Sequence, residues 1–321
     1  MRPRIILDCD PGHDDAVAIV VAARHSELLG ITTVGGNAPL ERTTYNALVM
    51  RDLLDIDVPV HSGAARPLVE DLVTGPGAHG ESGLDGADLP PPHRDLDGID
   101  AVGFIIERCR AEEGSWLVGV GPLTNLALAL RAAPDLAGRL AGISVMGGGA
   151  FGNRTAVAEY NIWADPEAAA AVFAAGVPMV MAGLDLTHQL LATPERIAAV
   201  RRQPGRVAAL LADLFGFYSA GYAERDPTLA GAAVHDPCAV LALTHPELFE
   251  REALPVAVET AGRLTRGMTV IDRRTSSDRP PATCDVLTRI DADAAWDVIV
   301  DAVASYASER QRAPGTTSPA S

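Results

Sequence analysis

The sequence predicts a single α/β domain, in which helices cover both faces of one open and mostly parallel β-sheet. Short apolar runs alternate with longer helical patterns along the 321 residues. The apolar runs have the composition of buried strands, and no Pro/Ser-rich linker interrupts the middle of the chain. Parallel strands that are joined and covered by helices have this pattern. We expect the domain to span residues 1–311 and a flexible tail to follow at 312–321, where Pro, Ser, Thr and Ala are frequent.

Each element is predicted from the length and apolar pattern of its segment, because strands are short apolar runs whereas helices are longer and periodic. The predicted strands are Ile5–Cys9, Gly30–Val34, Val58–His61, Trp116–Val120, Ile143–Met146 and Pro178–Met181. The predicted helices are Asp14–Arg24, Pro39–Leu54, Ala101–Arg110, Thr124–Ala132, Pro166–Ala174, Val207–Ala223 and Cys238–Leu243. Residues 66–96 are rich in Gly, Pro and Asp and too long for a simple connection, which is typical of a functional or disordered loop.

Composition limits the partners that we expect. The formal net charge is −16 and the chain contains no lysine, and a surface this acidic repels phosphate backbones and anionic lipids. We therefore expect neither nucleic acid nor a membrane as a partner, and the chain has no apolar run of about 18 residues that would predict a transmembrane helix. The four cysteines form no CxxC pair, and the first apolar run is too short for a signal peptide. We expect a reduced, cytoplasmic protein.

Polar and glycine-rich segments follow four of the predicted strands. Asp8 and Asp10 end the first strand, GGN at 35–37 follows the second, GPLTN at 121–125 follows the Trp116 strand, and GGG at 147–149 follows the Ile143 strand. In open α/β sheets, ligands bind beyond the carboxyl ends of the strands. The sequence therefore predicts a binding site at this edge of the sheet.

The first of these segments, DCDPGHDD at 8–15, carries four carboxylates within eight residues. Strand alternation places Asp8 and Asp10 on one face, and Asp14 and Asp15 fall in the first turn of the next helix. Carboxylates this close repel one another unless a cation lies between them, and ligation by oxygen alone suits Ca²⁺ or Mg²⁺. Helix capping would explain one or two of these aspartates but not all four.

Two later segments have a functional interpretation beside an ordinary structural one. In the segment HDP at 235–237, Asp236 could be a distant metal ligand and His235 a general acid, or Asp236 could simply cap the following helix. Asn153, Glu159 and Asn161 could grip sugar hydroxyls through hydrogen bonds, or they could belong to a polar loop. Their spacing alone favours the polar loop.

Aromatic and histidine side chains give two weaker signals. Tyr218 and Tyr222 lie four residues apart and share one face of a predicted helix, where they could belong to the core or stack on a flat base. His79 lies in the long glycine-rich loop, where it could simply be solvated or could belong to a mobile lid over the site.

Together, these segments resemble the inosine-uridine preferring nucleoside hydrolase family from about residue 4 to about residue 305. The opening DCDPGHDDA resembles the signature of that family. Later segments that resemble family blocks are VGGN at 34–37, GPLTN at 121–125, MGG at 146–148, EYN at 159–161 and HDP at 235–237. The resemblance implies a Rossmann-like fold with its site at the C-terminal ends of the strands. It also implies hydrolysis of the N-glycosidic bond of inosine-like or uridine-like ribonucleosides to ribose and free base.

The resemblance further implies a role for individual residues. Asp10, Asp15 and Asp236 would be the carboxylate ligands of a Ca²⁺, and the main-chain carbonyl of Val120, or less well that of Leu123 or Thr124, would complete the protein shell. Asp10 would also be the general base on the calcium-bound water, and His235 the acid that protonates a departing purine. The implied substrate contacts are Asp14, Asn37, His79, Met146, Asn153, Glu159, Asn161, Tyr218 and Tyr222. The family resemblance also implies a homodimer or a homotetramer.

Two other functions fit parts of the pattern. A DxD-type, Mg²⁺-dependent phosphatase would use Asp8 as nucleophile and Asp10 as acid and base. That enzyme needs a later lysine to neutralise the phosphate, and this chain has none. A non-catalytic protein that binds Ca²⁺ or a nucleoside would require neither Asp10 nor His235. The sequence leaves the preferred base open.

Overall fold

The computed structural model describes residues 2–75, 79–225 and 228–307, so the tail predicted at 312–321 lies outside the described residues. The strands are β1 (Arg4–Cys9), β2 (Glu27–Thr33), β3 (Val60–Ser62), β4 (Trp116–Gly119), β5 (Gly142–Met146), β6 (Met179–Ala182), β7 (Leu191–Ala192), β8 (Ala232–Ala233), β9 (Phe249–Leu254), β10 (Val256–Val258), β11 (Thr269–Ile271) and β12 (Cys284–Ile290).

The helices alternate with the strands over the first two thirds of the described chain. They are α1 (His13–His25), α2 (Leu40–Leu53), α3 (Ala101–Ala111), α4 (Thr124–Ala132), α5 (Tyr160–Ala164), α6 (Pro166–Phe173), α7 (Leu184–Thr187), α8 (Pro194–Arg201), α9 (Arg206–Arg225), α10 (Pro237–Thr244) and α11 (Ala292–Ser305). In the described part of the chain, every helix is too short or too polar to span a lipid bilayer.

The central sheet has eight strands in the order β3-β2-β1-β4-β5-β6-β12-β9. Every neighbouring pair from β3 to β12 is parallel, and only β9 pairs in the antiparallel sense, with β12. The predicted fold class, one open and mostly parallel sheet, is therefore confirmed. The chain leaves β1 toward β2 on one side and later returns to β4 on the other. The crevice between β1 and β4 is thus a topological switch point, where α/β sheets bind ligands.

Both faces of the sheet are buried, and β1 shows why. Ile5 and Leu7 pack into one apolar cluster, which includes residues of α1, α9, α10 and α11, whereas Ile6 packs into a second cluster with α3, α4 and α6. Successive side chains of a strand point to opposite faces, so a strand between two helical layers must be apolar at each position. This is the reason that the strands are continuous apolar runs in the sequence.

Aspartate and threonine side chains begin several of the helices. Asp100 accepts a hydrogen bond from the main chain of Gly103 at the start of α3, and Asp165 accepts one from Ala168 at the start of α6. Such caps satisfy main-chain N–H groups that have no partner within the helix. The helix starts that follow strands therefore lie at fixed positions above the carboxyl edge of the sheet.

Candidate active site

A cavity of about 510 Å³ opens at the carboxyl edge of the sheet. Every residue that we expected to contact the substrate lines this cavity, namely Asp14, Asn37, His79, Met146, Asn153, Glu159, Asn161, Tyr218 and Tyr222. Val120, His235 and Asp236 also line it. Asp10 and Asp15 lie directly beneath this lining. The residues singled out in the sequence therefore meet at one place, although they come from segments that span more than 200 residues.

The base of the cavity is formed by four buried carboxylates, which we call the acidic floor: Asp10, Asp14, Asp15 and Asp236. Their exposed fractions are 0% for Asp10 and Asp15, 4% for Asp14 and 3% for Asp236. Asp14, Asp15 and Asp236 each offer an oxygen atom within 4.8 Å of the other two. Asp10 joins them through its main chain, because its N–H donates to Oδ1 of Asp15 at 3.2 Å.

The Asp10 carboxylate is held in a narrow slot between two glycines. Its Oδ2 accepts a hydrogen bond from the main-chain N–H of Asn37 at 2.6 Å. Its Oδ1 is buried and has no hydrogen-bond partner among the described residues. A Cβ atom added at Gly36 or at Gly121 would overlap this carboxylate, so both strand ends need glycine to approach it.

The acidic floor carries charge that no cationic side chain of the described chain balances at close range. Burial, followed by repulsion from Asp15, raises the pKa of Asp10 well above its usual range and raises the pKa of Asp14 to about 7. Burial and the charges of its three neighbours likewise raise the pKa of Asp236. Four buried carboxylates stay ionised together only if a cation enters, and a hard divalent ion with oxygen ligands fits this donor set.

Asn161 links the floor to the wall of the cavity. Its Nδ2 donates to the main-chain carbonyl of Val120 at 2.9 Å and to that of Met146 at 3.1 Å. A carbonyl oxygen has a second lone pair, so the Val120 oxygen can still accept another ligand. The ends of β4 and β5 are in this way fixed relative to α5, on which Asn161 lies.

Glu159 is the N-cap of α5. Its Oε1 accepts from the main chain of Asn161 at 2.9 Å, and its Oε2 accepts from Gly148 at 3.0 Å and Ile162 at 3.2 Å. Burial raises the pKa of this carboxyl to about 7 in spite of these hydrogen bonds. Asn153 supports the same turn, because its Oδ1 accepts from the main chain of Tyr160 at 2.9 Å. Both residues thus shape the wall as well as line it.

His235 is fixed between two hydroxyl groups. Its Nδ1 lies 2.7 Å from Oγ1 of Thr187, and its Nε2 lies 2.6 Å from the hydroxyl of Tyr222. Burial and the neighbouring His188 lower the pKa of His235 to about 3, so the imidazole is neutral at physiological pH. The Tyr222 ring meets the Tyr218 ring edge-on at 5.0 Å. These side chains form one connected group on the wall of the cavity.

His79 is buried rather than solvated. Its Nδ1 accepts from the main chain of His13 at 3.1 Å, and its ring stacks near those of His13 and Tyr218. The Nε2 of His13 lies 2.9 Å from the carbonyl of Asp85, and its ring also stacks on Phe217. The segment that carries His79 is therefore docked on the first turn of α1, directly beside the floor.

Comparison with known proteins identifies the family. The model of the family described as inosine-uridine preferring nucleoside hydrolase matches residues 5–297. The chain is 42% identical over 310 residues to the pyrimidine-specific ribonucleoside hydrolase RihA of Shewanella sp. (strain MR-4), covering 95% of this chain and 97% of that one. The chain belongs to the inosine-uridine preferring nucleoside hydrolase family. It is accordingly an enzyme that hydrolyses ribonucleosides to ribose and free base.

Further relatives agree with this nucleoside hydrolase assignment. RihA of Escherichia coli (strain SMS-3-5 / SECEC) is 42% identical over 309 residues, which cover 94% of this chain and 99% of that one. Among solved structures, the purine-preferring ribonucleoside hydrolase from Gardnerella vaginalis superposes with a TM-score of 0.88 at 33% identity, over 95% of this chain and 99% of its own. The predictions of family, fold class and enzyme class are confirmed, and nucleoside hydrolases are generally metal-dependent, as the acidic floor suggests.

The family membership of the chain and the position of Asp8 both argue against the phosphatase alternative. Asp8, its nucleophile, does not line the cavity of this nucleoside hydrolase. Its Oδ1 instead accepts from Thr32 at 2.5 Å and from Asn125 at 2.8 Å, which joins β1 to β2 and to the first turn of α4. Asp8 therefore contributes to the sheet edge that carries Asp10.

Sequence reasoning missed several residues that line the cavity of this nucleoside hydrolase. They are Gly75, Phe151, Gly152, Arg154, Tyr160, His188 and Leu229. Tyr160 lies inside the EYN segment, and its hydroxyl donates to the carbonyl of Gly36 at 2.7 Å, next to Asp10. The others come from irregular segments whose spacing carries no signal.

Proposed function

We propose that this hydrolase holds a Ca²⁺ with the carboxylates of Asp10, Asp15 and Asp236 and with the main-chain carbonyl of Val120. The observation that carries the proposal is the acidic floor itself, which is buried and lacks a cationic side chain among the described residues. Bound there, the ion would neutralise the floor, orient a water molecule and lower the pKa of that water.

Asp14 belongs to the same group of carboxylates, but its position favours the sugar. Asp14 lines the cavity, whereas Asp10 and Asp15 lie beneath it. Its Oδ2 also accepts a long hydrogen bond, 3.3 Å, from the main chain of His235. We therefore assign Asp14 and Asn161 to the ribose hydroxyls, with Asn37 and Met146 beside the sugar.

Asp10 is the group that takes the proton from the attacking water. Oδ2 accepts a hydrogen bond from Asn37, whereas Oδ1 is buried without a hydrogen-bond partner among the described residues, so Oδ1 is the oxygen that would accept the proton of a water molecule bound next to it. The glycines on either side fix the carboxylate, and position matters more than basicity for such a base. The remaining carboxylates of the floor stabilise the positive charge that develops on C1′ and O4′ of the ribose as the glycosidic bond breaks.

The departing base faces the group formed by His235, Tyr222, Tyr218 and His79. Since Nε2 of His235 is occupied by the Tyr222 hydroxyl, His235 acts on the base through that hydroxyl. Tyr222 gives its proton to a purine nitrogen or an exocyclic oxygen of the departing base. Neutral His235 accepts from Thr187 at Nδ1 and donates a hydrogen bond from Nε2 to the resulting tyrosinate oxygen, without losing its own proton. The proton that Asp10 takes from the attacking water returns to Tyr222 through solvent. Such a relay suits inosine and uridine alike, so we assign both as substrates.

The ribose 5′-hydroxyl is assigned to the wall formed by Asn153 and Glu159. Both side chains line the cavity next to the N-terminus of α5. They come from the segment between β5 and α5, whereas the groups facing the base come from α9, the loop before α3 and the turn before α10. This division gives the cavity a sugar end and a base end.

The experiment that tests this proposal is ribose release from a panel of nucleosides, measured with calcium and after treatment with a chelator. We expect cleavage of inosine and uridine that is lost with the chelator and restored by Ca²⁺. The Asp15→Asn variant should bind Ca²⁺ at least tenfold more weakly in a direct titration. Unchanged release in the chelator would contradict the metal site, and cleavage of pyrimidine nucleosides alone would contradict the assignment of inosine.

A second experiment tests the relay. His235→Ala and Tyr222→Phe should lower kcat for inosine by roughly 10²-fold, because general acid catalysis contributes about that much. A nitrophenyl riboside has a leaving group that needs no proton, so its cleavage should change less than threefold. Equal losses on both substrates would overturn the proton-donating role of this group.

We also propose a cytoplasmic enzyme and a homodimer or homotetramer. The four cysteines are free and buried, which supports a reducing compartment. Light scattering on the purified protein measures the oligomeric state, and a monomeric mass would overturn that part of the proposal.

A further inference from the structure

Arg154 differs from the other charged residues of the cavity. Among the described residues that line the cavity it is the one arginine, and the acidic residues that line the same cavity are Asp14, Glu159 and Asp236. Its guanidinium is half-buried and lies over the indole of Trp163, with Cζ 4.2 Å from the ring centroid. Stacking of this kind holds a guanidinium in one orientation.

The hydrogen-bond donors of Arg154 are unused within the described chain. Its Nε is buried and has no acceptor, and no described carboxylate forms an ion pair with it. Two other half-buried arginines have carboxylate partners, since Arg94 donates to Asp52 and Arg266 to Glu167. Arg24 also has a buried Nε without an acceptor, but it does not line the cavity. A buried donor without an acceptor costs free energy, so an acceptor on a ligand in the cavity would stabilise the complex.

The position of Arg154 is fixed by the fold of its loop. The main chain of Arg154 donates to the carbonyl of Ala158 at 3.1 Å, and Gly152 donates to Ala156 at 3.2 Å. This tight loop continues directly into α5, and Asn153 beside it is hydrogen-bonded to Tyr160. Arg154 therefore belongs to the same wall as Asn153 and Glu159, the sugar end of the cavity.

We propose that Arg154 is a specificity-determining residue that donates hydrogen bonds to the oxygen at the 5′ position of the ribose. The inference rests on the proposed function, because that proposal assigns the 5′ end to this wall. The residue selects ribosides that carry a hydrogen-bond acceptor at C5′. Stacking on Trp163 preorganises the guanidinium, so that substrate binding does not have to order a mobile arginine side chain.

The test compares kcat/KM for uridine and 5′-deoxyuridine in the wild type, in Arg154→Met and in Arg108→Met. Arg108 is a matched control, because its guanidinium also lies over an aromatic ring, that of Phe104, at 5.6 Å, but outside the cavity. We expect Arg154→Met to lose about 10- to 100-fold with uridine, as for a charged hydrogen bond, and less than twofold with 5′-deoxyuridine. Arg108→Met should change neither value.

Two further variants keep the outcomes distinct. Arg154→Lys keeps the charge but loses the planar fork, so the loss with uridine should be smaller than in Arg154→Met. Asn153→Ala tests the 5′ assignment itself and should also lose more with uridine than with 5′-deoxyuridine. If Asn153→Ala discriminates and neither Arg154 variant does, the inference about Arg154 is wrong and the proposed sugar end stands. If no variant discriminates, both are overturned.

Discussion

Two clusters of carboxylates in this protein have opposite electrostatics. The acidic floor holds four carboxylates with no cationic partner among the described residues, and their pKa values are raised. The second cluster, which we call the arginine cluster, consists of Arg51, Asp52, Arg94 and Asp97, between α2 and the loop before α3. There Arg94 Nε lies 2.7 Å from Asp52 and Arg51 Nη1 lies 2.8 Å from Asp97.

The arginine cluster stabilises the folded protein, whereas the unpaired carboxylates of the acidic floor destabilise it. Arg51 also donates to the main-chain carbonyls of Arg94 and Asp95, so it fastens the long loop to α2. Burial alone would raise the pKa of Asp52, but hydrogen bonds from the main chain of His93 and from Arg94 lower it to about 2. The difference teaches that charge left unpaired inside a fold indicates a binding site, whereas paired charge indicates a structural joint.

Asp10→Asn should give the largest loss of activity among these variants. It should not lower the stability of the fold. We expect kcat/KM for uridine to fall by about 10³-fold or more, because the variant would lose both the proposed metal ligand and the proposed base. The free energy of unfolding measured without calcium should stay the same or rise, since one repulsive charge is removed. Chemical denaturation beside steady-state kinetics measures both, and a large loss of stability would contradict this view of the floor.

Arg51→Met should show the reverse pattern. Arg51 is buried but its partner Asp97 is partly exposed, so the loss comes mainly from the hydrogen bonds that Arg51 donates to Asp97 and to the carbonyls of Arg94 and Asp95. The free energy of unfolding should fall by about 2 kcal/mol. The kcat of the folded enzyme should change less than twofold, because Arg51 does not line the cavity. Urea denaturation and uridine kinetics check the two halves. A tenfold loss of kcat at unchanged stability would mean that the arginine cluster serves catalysis.

The stability of the protein should depend on pH in opposite directions for the two clusters. This is the smallest of the expected effects. Asp52 has a folded-state pKa of about 2, below its ordinary value of 3.8. Its stabilisation, about 1 kcal/mol beside solvent, is therefore present above pH 4 and lost as the pH falls toward 2. Asp14 has a raised pKa of about 7, so without calcium its ionisation should lower stability as the pH rises from 4 to 7.

The variants Asp52→Asn and Asp14→Asn should each remove one of these two pH dependences. Thermal unfolding in a chelator, at several pH values from 2 to 8, is the measurement. The expectation would be contradicted if the wild-type melting temperature rose steadily from pH 4 to 7 and Asp14→Asn had no effect. The ionised carboxylates of the acidic floor would then not destabilise the fold.

The strands of the parallel sheet were predictable and its far edge was not. The strands β1, β4, β5 and β6 are largely apolar because helices cover both faces of the sheet. By contrast, β9 reads FEREAL, and four of its six residues are exposed. A strand at the edge of a sheet has no continuous apolar signal, and the pairing of β12 with β6 joins residues about a hundred positions apart.

The site was predictable where chemistry is concentrated in the sequence. The segment at 8–15 packs four carboxylates together, and the family resemblance supplied the distant Asp236. Arg154 and His188 lie in irregular segments, and only folding brings them to the cavity. The partners of His235 were also hidden, because Thr187 and Tyr222 come from different elements, and their hydrogen bonds to His235 leave no mark in the spacing of residues.

The glycine slot around Asp10 limits how this enzyme can change. Any side chain at Gly36 or Gly121 would displace the carboxylate, so neither position tolerates variation while activity is under selection. The loop residues Phe151, Arg154 and His188 have no such constraint. Laboratory evolution toward new ribosides should therefore accumulate its substitutions in the cavity wall, above a floor that keeps the same chemistry throughout.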